Sequence, residues 1–315
     1  MGVYTDIAQL PDFRDTVLTI GTFDGVHLGH RAILDEVVRH ARREHRESVL
    51  VTFEPHPRKL LFPEQSLQLL TPLPQKLALI AATGIQHIAV IPFTRSFAAQ
   101  DARAYIEDFL VARFHPASIV IGYDHHFGHD RTGDIQLLRA LQEKLGYRVH
   151  EIPAQLIDDA AVSSTKIRKA LKAGDVAHAM HMLGRPYLLS GAVYEGARRG
   201  RTIGYPTANI NPADPDQLVP ATGVYAVRVR RQERWHNGML NIGYNPTVTD
   251  EGVMRIEVHI FDFNDTIYGE QLDIRFISRL RDEQKFSGTD ALKAQLHQDA
   301  AAAAAALQAA QAGYP

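Results

Sequence analysis

Hydrophobic and polar positions divide the chain into two regimes. Up to about residue 173, short β-branched apolar runs alternate with stretches in which apolar residues recur at helical spacing. The runs at 17–20, 48–53, 87–92, 118–122 and 147–152 predict strands. The stretches at 71–82, 102–114, 134–145 and 163–173 predict helices, and residues 1–16 an edge strand and loop. Strands alternating with helices imply a parallel sheet with right-handed crossovers. From about Leu188 the runs become β-rich and closely spaced, at 188–193, 223–230, 234–242, 255–261 and 271–280, with turn residues between them. That is the signature of a small antiparallel barrel. The expected domains are 1–183 and 184–315, with a helix over 289–312. From Asp299 that helix is nearly pure alanine, which favours helix but offers little to bury. Its last dozen residues are expected to be a frayed extension without function.

Residues 17–31 hold the densest chemistry. The apolar run ends in a glycine-punctuated turn, Gly21 to Gly25, and a helical pattern of Ile33, Leu34, Val37 and Val38 follows. The start of a helix offers unpaired N–H groups and the positive end of its dipole, which suits phosphate. Gly25 and Gly29 let the backbone approach a ligand closely. His27 and His30, three apart, share a helix face and could donate hydrogen bonds to charge developing on a bound phosphate. In isolation they would read as two surface histidines. Their place at the C-terminal end of the first strong strand of an α/β domain favours a ligand site.

Composition narrows the class. With 315 residues, 45% hydrophobic and 22% charged, the chain reads as a soluble two-domain protein. A net charge of −2 gives no basic footprint for nucleic acid. The absence of cysteine excludes disulfides, thiolate catalysis and cysteine-ligated zinc. There is no signal-peptide pattern and no apolar stretch long enough to span a bilayer, so a cytoplasmic protein with no membrane or nucleic-acid partner is expected. No two glycines flank a single residue, which excludes Gly-x-Gly-x-x-Gly, and there is no Gly-x-x-x-x-Gly-Lys-Ser/Thr. Nucleotide must be held by another device.

The stretch Gly21-Thr-Phe-Asp-Gly-Val-His-Leu-Gly-His30 resembles the His-x-Gly-His nucleotidyltransferases, and in full the bacterial bifunctional riboflavin kinase/FMN adenylyltransferase (FAD synthetase) family. Further segments match in order: Thr52-Phe-Glu-Pro-His-Pro57, Gly122 to Asp134, Val162-Ser-Ser-Thr-Lys-Ile-Arg168, Leu183-Gly-Arg-Pro-Tyr187, Gly204-Tyr-Pro-Thr-Ala-Asn209, Gly223-Val-Tyr-Ala226, Asn241 to Thr247, Glu257 to Phe263 and Arg279 to Phe286. Thr22 stands where the family commonly has Asn, and His125 and His126 where it shows an aromatic and a basic residue. With His129 these could form a three-histidine metal site, though nothing else in the sequence completes one.

The resemblance implies an α/β nucleotidyltransferase domain and a riboflavin kinase-like barrel. It implies that riboflavin is phosphorylated to FMN and FMN adenylylated to FAD, with ATP as co-substrate and Mg²⁺ as metal. It implies catalytic roles for His27, His30, Arg168 and Glu257. ATP and phosphate contacts fall to Gly21, Phe23, Asp24, Gly29, Asp124, Ser163, Ser164, Thr165, Gly204 and Thr207. Flavin contacts fall to Phe53, Pro55, His56, Tyr205, Arg279 and Phe286, and Thr207 and Asn209 offer the oxygen ligands a hard Mg²⁺ accepts. Alternation along 255–261 puts Arg255, Glu257 and His259 on one face, where Glu257 can serve as base for the 5′-hydroxyl. Two rivals stay open here: a riboflavin kinase whose first half has lost transfer activity, and a flavin-binding regulatory module without turnover. Oligomeric assembly is not readable from the sequence.

Overall fold

A computed structural model describes residues 1–123, 125–152, 162–196, 203–245 and 253–311. The chain packs as two compact units, Met1–Ser164 and Thr165–Pro315.

In the first unit, β1 (Gly2–Tyr4), β2 (Thr16–Ile20), β3 (Ser48–Glu54), β4 (His87–Pro92), β5 (Pro116–Gly122) and β6 (Arg148–Ile152) form one sheet in the order β1-β4-β3-β2-β5-β6. Every pairing is parallel. The chain runs outward from β2 through β3 to β4, then returns to the other side of β2 as β5. The C-terminal ends of β2 and β5 therefore flank a topological switch point, where open α/β sheets leave a ligand crevice.

Both faces of the sheet are covered, which explains why its strands read as continuous apolar runs. Val17, Leu50, Ile88 and Val120 face one cluster with Leu34, Val37 and Val38 of α1 (Leu28–Glu44). The short α2 (Pro57–Leu61) follows β3, and Ile80 of α3 (Leu73–Ala81) joins the α1 cluster. Leu18, Ile20, Val49, Val51 and Ile91 face the opposite cluster. There the short α4 (Arg95–Ala98) leads to α5, a helical stretch over 102–114, and α6 (Ile135–Leu145) follows β5. The expected helix over 102–114 is interrupted, because Tyr105–Val111 is π-helical between two short α turns. Its buried Tyr105, Ile106, Phe109 and Leu110 still meet the core.

The second unit carries most of α7 (Ser164–Lys172), then α8 (Val176–Leu183). Its strands β7 (Tyr187–Tyr194), β8 (Ala208–Pro212), β9 (Gly223–Arg231), β10 (Arg234–Asn245), β11 (Val253–Ile260) and β12 (Gln271–Arg281) close into a barrel in the order β10-β11-β8-β7-β12-β9. All its pairings are antiparallel. Packing divides the chain earlier than the sequence boundary at 183/184, because α8 packs on β7 and β12.

Two features differ from the sequence pattern. β8 has no apolar run, since Asn209, Asn211 and the flanking prolines read as a turn, yet pairing with β7 and β11 makes it a strand. The last dozen residues are not frayed where they are described: 304–311 continue α9 (Thr289–Gln311), whose Leu307, like Ala303 (0% exposed) one turn earlier, packs on Ala226, Met239 and Ile277. Small side chains let the helix approach the barrel closely, and Arg281 grips the buried Asp299 with Nε and Nη2 at 2.8 and 2.7 Å.

Candidate active sites

The first site is built on the turn between β2 and α1. Phe23 (φ 48°), Gly25 (φ 90°) and Val26 (φ 38°) all lie at positive φ within four residues. A β-branched residue there is a genuine outlier, costing about 1–3 kcal/mol. Phe23 and Val26 are buried in the α1 cluster, and that packing holds the turn in shape. Asp24, 2% exposed, accepts from Leu70 N and Thr71 N at 3.1 and 3.0 Å. The Asp24 carbonyl accepts from Ser164 Oγ at 2.9 Å. The Asp24 carboxylate thus fastens the turn to residues 70–71.

His27 caps α1, and its Nδ1 accepts from His30 N at 3.3 Å. An accepting Nδ1 puts the neutral ring's proton on Nε2, which becomes a donor. The His27 and His30 rings stack at 3.6 Å with 16° between planes, and Phe23 meets His30 edge-on at 5.2 Å. The structure therefore brings Gly21, Phe23, Asp24, His27, Gly29, His30 and Ser164 to one strand end and helix start.

Several other expected residues are engaged in packing or helix capping. Phe53 is buried in the opposite cluster, against Phe93 and Phe97 at 5.5 and 5.8 Å. His56 is buried and caps α2 by accepting from Arg58 N at 3.1 Å, while Pro55 is exposed after a cis Glu54–Pro55 bond. Ser163 immediately precedes α7, and Thr165 and Arg168 lie on it within the second unit. Asp124 is outside the described residues. Of the three neighbouring histidines, His125 packs on Phe127 at 5.8 Å, His126 is exposed, and exposed His129 pairs with Asp130.

Sequence reasoning missed Lys76. It is 4% exposed on α3, and its Nζ donates to the Thr22 carbonyl at 3.4 Å, beside the turn. Burial pushes its pKa down, while Glu54 and Asp24 pull the other way. The available signal was periodic: Leu73, Lys76 and Ile80 recur at helical spacing on α3.

The second site lies on the barrel. Glu257 of β11 and Asn209 of β8 are register partners, so their side chains share one face. Asn209 is 5% exposed, and its Oδ1 has no hydrogen-bond partner among the described residues. A buried amide oxygen left in that state suits a hard cation, and the exposed Thr207 hydroxyl lies two residues away. The set Thr207 and Asn209 therefore fits a divalent metal. A cleft of about 420 Å³ includes Gly204, Pro206 and Thr207 in its wall, and the 263–268 loop lines another part of it. That loop was not anticipated, although polar Asn264, Asp265 and Thr266 shortly after the alternating 255–261 run were a legible cue. Arg231 anchors it, reaching Asp265 at 2.6 Å and Glu270 at 2.8 Å.

Around Glu257, His259 Nδ1 lies 2.7 Å from the Pro206 carbonyl, and Tyr205 meets the His259 ring edge-on at 5.1 Å. The Tyr205 hydroxyl reaches His297 Nδ1 on α9 at 2.9 Å. Arg279 donates to the Thr222 carbonyl at 2.5 Å and pairs with Asp282 at 2.7 Å. Phe286 lies under the Arg281 guanidinium, 5.7 Å from its ring centre.

A parallel sheet with imidazoles at its switch point, followed by a barrel with a strand carboxylate facing a metal-suited amide, defines a two-domain transferase. The FAD synthetase family model matches residues 10–166, and the riboflavin kinase model residues 183–307. A bifunctional riboflavin kinase/FMN adenylyltransferase of Listeria monocytogenes is 38% identical, covering 90% of each chain. That of Escherichia coli is 36% identical, covering 93% of each. A Streptococcus pneumoniae crystal structure described as a macrolide-efflux protein superposes with a TM-score of 0.84 at 31% identity, covering 94% of this chain and 96% of that one. Among the described residues no helix is long and apolar enough to cross a membrane. The chain belongs to the bifunctional riboflavin kinase/FMN adenylyltransferase family.

Proposed function

We propose that the protein makes FAD from riboflavin in two ATP-dependent steps. In the first, the riboflavin 5′-hydroxyl attacks the γ-phosphorus of ATP and ADP leaves. Glu257 takes the hydroxyl proton. Thr207 and Asn209 would hold Mg²⁺, which when bound neutralises charge on the phosphates, and the cleft beside Gly204 and Thr207 would take the nucleotide. Tyr205, Arg279 and Phe286 are the barrel's flavin-side residues.

In the second step, the FMN phosphate attacks the α-phosphorus of ATP and pyrophosphate leaves. Positioning and electrostatic stabilisation carry this kind of reaction. His27 and His30 donate to the charge that develops, at the positive end of a 17-residue helix. Gly21, Phe23, Asp24, Gly29 and Ser164 shape or line the phosphate site, with Asp24 acting by fastening the turn, and the sequence motif assigns Ser163 and Thr165 to phosphate. Arg168 on the leaving phosphates, Asp124 at the nucleotide, and Phe53, Pro55 and His56 on the flavin side rest on the sequence motifs. ATP as co-substrate supports a cytoplasmic location.

The observation that carries this reading is that each compact unit holds its own constellation, stacked imidazoles in one and the Glu257–Asn209 pair in the other. The test is incubation with riboflavin and Mg-ATP, with flavins separated by chromatography. FAD supports the proposal. FMN as sole product would restrict the activity to the barrel, and unchanged riboflavin would reduce the protein to a binding module.

A further inference from the structure

A second histidine cluster lies at the other end of α1 from the His27–His30 turn. His40 and Glu44 sit one helical turn apart on α1, and His150 lies in the middle of the edge strand β6. His150 is on the face of the sheet that α1 covers, two residues before Ile152 of the α1 cluster. One ligand atom from each of the three residues falls within 4.8 Å of the others. The two imidazoles are in contact, with ring centres 4.2 Å apart.

From these residues we infer a binding site for one Zn²⁺-class ion, with His40, Glu44 and His150 as its protein ligands. Zinc bonds of about 2.0–2.2 Å in a tetrahedron put ligand atoms roughly 3.4 Å apart. His40 Nδ1 and Glu44 Oε1 are already 3.6 Å apart. The buried Nε2 of His150 has no hydrogen-bond partner among the described residues.

His40 Nε2 lies 3.7 Å from Glu36, so the ring has one nitrogen toward Glu44 and the other toward a second carboxylate. Two imidazoles and one carboxylate favour Zn²⁺, Co²⁺ or Ni²⁺ over Mg²⁺. Three protein ligands leave a fourth place for water, and the ion would tie the C-terminal part of α1 to the sheet edge.

Two arginines compete. Arg43 Nη2 donates to His40 Nδ1 at 2.9 Å and approaches Glu44 at 3.4 Å. Arg46 Nε also lies 3.3 Å from Glu44. The Arg43 side chain is largely exposed, so its displacement by an ion costs little.

The test uses the full chain without a histidine tag, stripped with EDTA and titrated with Co²⁺ in the absence of nucleotide. Absorption and calorimetry are the readouts. One saturable Co²⁺ per chain is expected, chased by Zn²⁺ and retained in excess Mg²⁺. Affinity should fall at least ten-fold in His150→Ala and in Glu44→Gln, as expected for lost ligands. Arg43→Ala should tighten it, a change in the direction opposite to any damage to the fold. If His150→Ala does not fold, His150→Gln and Glu44→Gln carry the comparison. No saturable ion in the parent, or unchanged affinity in the folded His150 and Glu44 variants, overturns the proposal.

Discussion

Glu257 and Asn209 stand directly opposite each other across the β11–β8 ladder, so a carboxylate and a buried amide share one barrel face. Glu257→Gln should lower riboflavin phosphorylation by about 10²–10⁴, the usual loss on removing a general base. FAD formation from supplied FMN should persist in the same variant. Asn209→Ala should separate function from stability. Its Oδ1 makes no hydrogen bond among the described residues, so truncation should leave the melting temperature unchanged or raised while phosphorylation collapses. A large fall in stability would show that the amide serves the fold instead.

His30→Ala should slow adenylyl transfer to FMN by about 10²–10³, the loss that follows removal of one donor to developing charge. Riboflavin phosphorylation in the other unit should remain at the parent rate. An FAD yield equal to the parent's would remove His30 from the chemistry.

Asp299→Ala should destabilise the barrel unit by about 3 kcal/mol, because it leaves the half-buried Arg281 guanidinium without its bidentate partner. Ala303→Leu should destabilise by about 1–3 kcal/mol, since the site is closed and extra methylenes must push α9 away. Urea unfolding followed by circular dichroism measures both. Unchanged stability in both variants would mean that α9 does not brace the barrel.

Lys76 makes a prediction about pH. Its folded-state pKa is lowered by burial, so between that value and the ordinary 10.5 the unfolded chain binds more proton than the folded one. Its contribution to stability therefore rises as pH increases toward 10.5 and is lost as pH falls through the lowered pKa. Unfolding free energies of the parent and Lys76→Met, compared at about pH 8 and pH 10, should differ more in the parent's favour at the higher pH. A constant difference would mean that Lys76 titrates alike in both states.

Much of the fold was legible because its signals are local. A strand buried on both faces, such as β3, must be apolar throughout, and α1 must repeat apolar residues at helical spacing, whatever the rest of the chain does. The two-domain order and the His27–His30 turn were legible for the same reason. β8 was not, because only its neighbours β7 and β11 turn a proline- and asparagine-rich segment into a strand. Nor was the seating of α9, since alanine carries no pattern that says how closely a helix can approach a barrel.

The site divides along the same line. The chain alone determined which residues could do the chemistry: two imidazoles at a helix start, a strand carboxylate, and a hydroxyl and amide beside a proline. Tertiary structure decided what each one faces. It spent Asp24 on the backbone of residues 70–71, turned Phe53 into the opposite core, and buried Lys76 beside the turn. It also set His150 against His40 across more than a hundred positions of sequence. Periodicity is written by residues a few positions apart, whereas these contacts join distant segments that only the sheet order and the barrel closure bring within reach.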